Sequence, residues 1–468
     1  MRPRLTGKWG VFCATAAALT TLLWVANSAN DQHDWLIGLA EADITPTEPV
    51  FLAGYANRNR PHDGVTAPLR AKALALKDQK GHRAVILTTD LIGLTAEVAE
   101  PVCERIRKAT GLDRADILIN SSHVHTGPML TTSSEPTEKM DAAQAARQAA
   151  YTAALQEKLA QVATQALESC NRPARLEQAT GMVHFVMNRR EFTTDRGVIL
   201  GVNPRGPADR SVPALRITAA DGELLGVLFQ AACHNTTLGG DFYQITGDYA
   251  GYAQKIVEEK HPKAKALFMI GCGGDANPHP RGKLEMSLAH GQELGDEVNR
   301  LLSDQKAWKP VTGPLTTRFA HADLPLQPMP EGKALAELKL KPGTSWQGFV
   351  AGEIERRRAA GETLPSVYRA PFSVWQFGGD LTLVGLSGEV VVDYVFRLER
   401  ELGPTRLWIA AYCHDVYGYL PSARVLVEGG YETRGLYAGG IGFFAPEAED
   451  IVAATITRLA KEAGRPNR

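Results

Sequence analysis

Cysteine is scarce in this chain, 6 residues in 468, and no CxxC spacing occurs. Cys13 falls in an N-terminal apolar segment. That leaves Cys103, Cys170, Cys233, Cys272 and Cys413, an odd set that indicates neither a dense disulfide framework nor a zinc ribbon. Charge of one sign is equally lacking: the formal net charge is -1, so nothing basic is left over to hold nucleic acid. The glycines of Gly271-Cys272-Gly273-Gly274 lack the Lys-Ser/Thr continuation that a phosphate loop requires, which rejects that reading. Internal repeats and low-complexity tracts are missing too.

The one long apolar run lies at the N-terminus. Val11 to Val25 is apolar over about fifteen residues, short for a membrane span. Positive Met1-Arg2-Pro3-Arg4 through Lys8 precedes it, and small Ala26, Ser28 and Ala29 follow. This predicts an export signal over residues 1–29, with cleavage near Ala29 leaving a soluble periplasmic or extracellular protein. An uncleaved anchor with the domain outside is the alternative.

With 44% hydrophobic and 22% charged residues, the chain can bury a large core. Trp35 to Pro46 reads as a strand ending at a proline, and Ala84 to Asp90 as a buried strand closing on a carboxylate that serves as a cap. Glu97 to Thr110 reads as a helix stopped by Gly111, and Asp116 to Ile119 as the next strand. Strand, helix and strand in succession imply a crossover and a partly parallel sheet. Residues 139–169 form the longest expected helix. Further strands are expected at Leu224 to Cys233 and Ala266 to Ile270, with a helix from about Tyr249 to Lys260 between them. Residues 326–346 read as a surface excursion with a charged helix near Phe349 to Ala360, a candidate lid. A hairpin turns at Gly378-Gly379-Asp380. Glu389 is expected to open a helix from Val390 to Glu401, and a last helix runs from about Pro446 to Ala463. The fold class that follows is α/β, with mixed sheets flanked by helices in one large domain over residues 30–468.

Chemistry concentrates after the strand ends. Asn120-Ser121-Ser122-His123-Val124-His125-Thr126-Gly127-Pro128 puts two imidazoles beyond a buried strand, either a metal grip or a hydrogen-bonded pair in a polar loop. His234 follows its own apolar strand in the same way. The glycine turn continues into Asp275-Ala276-Asn277-Pro278, and its backbone can approach a ligand without side-chain obstruction, which sets Gly274 and Asp275 against a substrate. Cys233 and Cys272 read as small buried hydrophobes, and His414 and Tyr417 as packing.

The order HVHTGP, CHNTT, GGDANP, SGE, then YGYLP with GGYE, together with the opening GLAEADIT and LAGY, resembles the catalytic domain of the neutral, non-lysosomal ceramidases. These are zinc amidases that cleave the N-acyl bond of ceramide. The resemblance is spread over about residues 37 to 460. It implies Zn2+ held by His123, His234, Glu389 and Tyr419, with His125 lining the site. Tyr431, which follows Tyr419 at the family's interval, would face the substrate, and Arg189 matches the family's Asn-Arg motif. Two imidazoles and a carboxylate form a standard catalytic zinc set that leaves a position for water or substrate. Zinc lowers the pKa of a water to about 7 and polarises an acyl carbonyl. Asn120, Asp90 or backbone carbonyls are the acceptors expected behind the histidines.

Two departures accompany the resemblance. The family's turn reads Gly-Asp-Val-Ser-Pro, with a serine implicated in catalysis, whereas Asn277 stands there in this chain. An amide is no nucleophile, so the chain relies on an activated water, takes another substrate, or is inactive; Asn277 is then a polar or oxyanion-stabilising group. The second departure is that the sequence leaves no room for the family's immunoglobulin-like C-terminal domain. The expected activity is hydrolysis of an N-acyl bond in a lipid-like or otherwise acylated substrate, with contact to a membrane surface. The alternatives are a zinc hydrolase acting on a different amide or ester, and a silent binding protein that keeps the metal as a structural clip.

Overall fold

In the computed structural model, residues 35–132, 140–340, 345–438 and 440–466 are described. The expected export signal, residues 1–29, lies outside them. The described residues belong to one compact unit, His33–Arg468.

The main sheet has nine strands. Its order is Lys265–Ile270, Leu224–Ala231, Ser211–Ala219, Arg172–Met182, Trp35–Asp43, Arg70–Asp78, Arg83–Thr89 and Ile117–Ser121, with Lys309–Val311 also beside Arg172–Met182. Pairing is antiparallel except at the two ends, where Leu224–Ala231 runs parallel to Lys265–Ile270 and Arg83–Thr89 parallel to Ile117–Ser121. Each parallel pair is joined by a helix, as such connections require: Ala96–Thr110 in one case and Asp248–Lys260 in the other. The first helix stops at Gly111, which takes a left-handed φ of 74° and returns its N–H to Arg107. The longest helix, Ala142–Glu168, starts on a reciprocal Asp141–Gln144 capping box.

A second sheet has four strands in the order Leu315–Pro325, Val367–Phe377, Leu381–Leu386 and Leu407–Ala410, the last pair parallel. Period-two alternation decides how the layers stack. In the main sheet Val85, Leu87, Ile117 and Ile119 pack towards the helices Ala96–Thr110 and Ala142–Glu168. Their neighbours Ile86 and Leu118 face Trp375, Phe377, Leu383 and Trp408 of the second sheet. On that sheet's other side, Phe372, Val374 and Val384 join Leu398, Val452 and Ile456 of the helices Asp393–Leu402 and Ala448–Glu462. The architecture is therefore helices, sheet, sheet, helices, a mixed α/β fold.

The two parallel ends of the main sheet are bridged by chain from the second. Past Leu407–Ala410, Ala411 donates to the carbonyl of Ile270, while His414 donates to Ile119 and Ser121 to Tyr412. Asn120 completes the join: its Oδ1 accepts from the Ile270 N–H at 3.0 Å and its Nδ2 donates to the Ala411 carbonyl at 2.7 Å. The carboxyl ends of Ile117–Ser121, Leu224–Ala231, Lys265–Ile270, Leu381–Leu386 and Leu407–Ala410 are gathered there, each leading into a loop with expected site residues.

Two expectations change. Glu389 does not open a helix; Glu389–Val390 is a short strand parallel to Tyr419–Leu420, and the helix begins at Asp393. The carboxylate is thus held by a neighbouring strand and not by a helix dipole. The excursion carries helices Gly332–Leu340 and Ser345–Ala359, and Leu335, Leu338, Val350, Ala351 and Ile354 are buried in the large core cluster. It is anchored by its own apolar face, and Gln327 bonds the backbone of Phe443 and Phe444.

Candidate metal centre

His123 stands just past the strand Ile117–Ser121, on backbone with φ 61°. A left-handed conformation costs a histidine roughly 1–2 kcal/mol, and the neighbouring backbone hydrogen bonds hold it: Ser122 to Thr89, Val124 to Leu91 and His125 to Asn235. His234 follows Leu224–Ala231 and is held by its N–H to the Ala276 carbonyl at 3.1 Å. Glu389 arrives from the second sheet with its N–H on the Gly418 carbonyl at 2.7 Å. The three side chains converge, with Oε2 of Glu389 3.2 Å from Nε2 of His123 and 2.9 Å from Nε2 of His234. His125 Nε2 is 3.1 Å from His123 Nε2. The nitrogens of His123, His125 and His234 lie within 4.8 Å of one another and could hold a metal ion.

Backbone carbonyls set the tautomers. Nδ1 of His123 is 2.7 Å from the Ile92 carbonyl and Nδ1 of His234 is 2.7 Å from the Gly273 carbonyl. A carbonyl only accepts, so each Nδ1 carries the proton and each Nε2 presents its lone pair in the neutral ring. Burial pushes His234 down to about 3, with the charge of Arg189 adding to it. Burial also lowers His125 well below the usual histidine range. Burial works against ionisation of Glu389, yet His123 and His234 outweigh it and hold the carboxyl well below the usual range. Lone pairs and a carboxylate thus face one another in a buried place, an acceptor-rich set that a divalent cation would satisfy. The residues present fit such an ion. Of the acceptors expected behind the histidines, backbone carbonyls take the role; Asn120 braces the strands, and Asp90 accepts from Arg70 and Gln254.

The remaining expected residues line one wall. The hydroxyl of Tyr419 is 3.4 Å from Nε2 of His234 and accepts from Nη2 of Arg189 at 2.9 Å. Arg189 is buried, donating also from Nη1 to Oδ1 of Asn277 at 3.3 Å and from Nε to Glu432 at 2.8 Å. Burial disfavours its charge, but Tyr419 and Glu432 overcome that and raise it well above the ordinary arginine value. Tyr431 is half-buried with its ring 5.5 Å from that of Tyr419 and the Arg189 guanidinium 5.4 Å from its centre. The second partner of Asn277 Oδ1 is a hydroxyl, that of Thr236, which donates to it at 3.1 Å.

Gly274 and Asp275, expected to contact substrate, both make contacts within the protein. The Gly274 N–H is bonded to the Val390 carbonyl at 2.8 Å, and a Cβ there would meet the Glu389 and Val390 backbone at 2.8 Å. The glycine permits approach of another strand, where a substrate was expected. Asp275 is fully buried, accepting from the Val392 N–H at 2.9 Å and from Asn188 at 3.2 Å, and burial pushes its carboxyl up to about 7. Both residues secure the Glu389 segment. The five cysteines of the described chain are buried and free; His414 bonds Ser373 and Arg114 in the core, and Tyr417 bonds Ser387.

Four participants escaped the sequence reading. Glu432 receives both Arg189 and Arg190, an acidic partner that two adjacent arginines call for once they are buried. Thr236 lies two residues past His234. Tyr412 brings its hydroxyl 3.5 Å from Oε2 of Glu389, and Tyr437 donates to Oε1. No local pattern distinguishes either tyrosine from a core residue.

A family described as neutral/alkaline non-lysosomal ceramidase, N-terminal, matches residues 35–290. Neutral ceramidase B of Dictyostelium discoideum is 26% identical over 283 residues, covering 54% of this chain and 37% of that protein. Neutral ceramidase 2 of Arabidopsis thaliana is 32% identical over 99 residues, 20% of this chain and 13% of that protein. The chain therefore spans less than half the length of these relatives. The crystal structure of neutral ceramidase from Pseudomonas aeruginosa shares the fold, with TM-score 0.69 and 17% identity over 93% of this chain and 75% of that one.

Proposed function

The chain belongs to the neutral/alkaline non-lysosomal ceramidase family, and on that premise we propose that it is a zinc-dependent hydrolase cleaving the N-acyl bond of ceramide or a related acylated lipid. The observation that carries this reading is the convergence of His123, His234 and Glu389 on one buried point, beside the hydroxyl of Tyr419. These four residues would hold the zinc, which when bound polarises an acyl carbonyl and makes water nucleophilic near neutral pH.

The chain's own groups supply the rest. His125, neutral and beside the cluster, is placed to take a proton from the attacking water and return one to the departing amine. Breaking the C–N bond then gives a carboxylic acid and a free amine. Arg189 keeps a positive charge against the Tyr419 hydroxyl, which favours that hydroxyl as a donor to the carbonyl oxygen as negative charge develops. Tyr431 offers an aromatic face to substrate. Asn277 has its Oδ1 taken by Arg189 and Thr236, so its amide N–H group is the part left to donate.

That asparagine also favours a second reading within the same chemistry: a zinc hydrolase whose substrate is a different amide or an ester. Metal analysis combined with hydrolysis of short- and long-chain ceramides and simple N-acyl amines tests both. Stoichiometric zinc with chain-length-dependent ceramide cleavage, lost in His123→Ala, is expected. Equal turnover of every substrate would transfer the assignment to the second reading, and stoichiometric zinc without turnover would leave a binding protein. Export, and work at a membrane surface, are part of the proposal and rest on residues 1–29 and the lipid-like substrate. N-terminal sequencing of protein recovered outside the cytoplasm should begin near Ala29; retention inside would refute it.

A further inference from the structure

We propose that Tyr437 is a positioning residue for the metal centre, deciding which oxygen of Glu389 faces the cation. This inference rests on the zinc reading above. The Tyr437 hydroxyl donates to Oε1 of Glu389, while Oε2 is the oxygen turned to Nε2 of His123 at 3.2 Å and of His234 at 2.9 Å. The carboxylate is thus divided: one oxygen is occupied by a phenol, the other offered to the imidazole side.

The division matters because terminal carboxylate torsions are soft and roughly two-fold, so an unbraced glutamate can present either oxygen or both. Tyr412 does not supply the brace, its hydroxyl being 3.5 Å away and on Oε2. Tyr437 does, and its own placement is anchored by backbone. The N–H groups of Tyr437 and Ala438 both donate to the Tyr417 carbonyl at 3.0 Å, and Leu436 is tied to Gly442 at 3.0 Å. The same stretch, two residues from Tyr417, carries Tyr419 and pairs directly with Glu389. The brace, the carboxylate and the fourth expected ligand are therefore all tied by backbone contacts to the segment Tyr417–Tyr419.

The test is Tyr437→Phe in the full chain, which keeps the ring and removes the donor. Zinc affinity, measured by competition with a chromogenic chelator, is expected to fall about 10–100-fold, the usual effect of losing a group that orients a metal ligand. The visible spectrum of the cobalt-substituted protein should change as well, a signature that a purely structural tyrosine would not move. Unchanged affinity and spectrum overturn the inference while leaving the zinc reading standing; absence of zinc binding in the unaltered protein overturns the zinc reading itself. A crystal structure of the unaltered zinc-loaded protein provides a measurement independent of the variant's folding. Tyr437 within hydrogen-bond reach of Oε1 supports the inference, and both carboxylate oxygens turned to the ion refute it.

Discussion

Asp415 is buried with one carboxylate oxygen accepting from the Ala96 N–H at 2.9 Å and the other from the Tyr368 hydroxyl at 2.7 Å. Burial nevertheless dominates and pushes the carboxyl up to about 6. An unfolded aspartate titrates near 3.9, so the folded chain binds this proton more tightly than the unfolded one. The stability this group contributes is full below about pH 4 and is lost as pH rises through about 6. Asp415→Asn, which can still accept from Ala96, should remove that part of the pH dependence, roughly 3 kcal/mol across the window. Urea denaturation of the variant and the unaltered protein at matched pH checks it, and parallel stability curves would refute it. Arg189 illustrates the opposite balance, a buried charge retained because Glu432 and Tyr419 meet it directly.

Between elements, close backbone approach does what residue chemistry alone does not. Gly54 lies in the loop after the first strand with φ +90°, and a Cβ there would fall 2.2 Å from Nδ1 of His125. Gly54→Ala should therefore displace the His125 ring without touching His123, His234 or Glu389. The expected outcome is retained zinc with turnover reduced at least about tenfold, since a misplaced general base forfeits part of a 10²–10⁴-fold contribution. Metal analysis beside kinetics decides it, and unaltered turnover would mean that His125 has no part in proton transfer. At this scale the sequence was legible where structure is local. The strand, helix and strand running into His123 and the stop at Gly111 could be read directly, as could the long helix, expected over residues 139–169 and found at Ala142–Glu168. Glu389 was misplaced onto a helix because the strand that pairs with it, Tyr419–Leu420, lies beyond the range of any local pattern.

Across the whole molecule, the expected metal ligands are drawn from both sheets: His123 and His234 from the first, Glu389 and Tyr419 from loops leaving the second. A cation at that point would tie the layers together and stabilise the folded state by mass action, about 4 kcal/mol when free zinc exceeds its Kd a thousandfold. Chelation should accordingly lower the melting temperature, zinc should restore it in a concentration-dependent way, and His123→Ala should respond to neither. Differential scanning calorimetry measures this. Equal response of the variant would place the stabilising metal elsewhere.

The sequence by itself determined the alternation of strands and helices, the burial of each strand's apolar face, and the presence of histidines at strand ends, because these depend on residues within a few positions of one another. Only the tertiary structure decided that the Ile92 and Gly273 carbonyls set the histidine tautomers and that Gly274 and Asp275 secure a strand. It also decided that Glu432 and Tyr437 brace the residues beside them in space. Backbone carbonyls carry no residue-specific signal, and a half-buried phenol or a buried carboxylate finds its partner only after distant segments have packed.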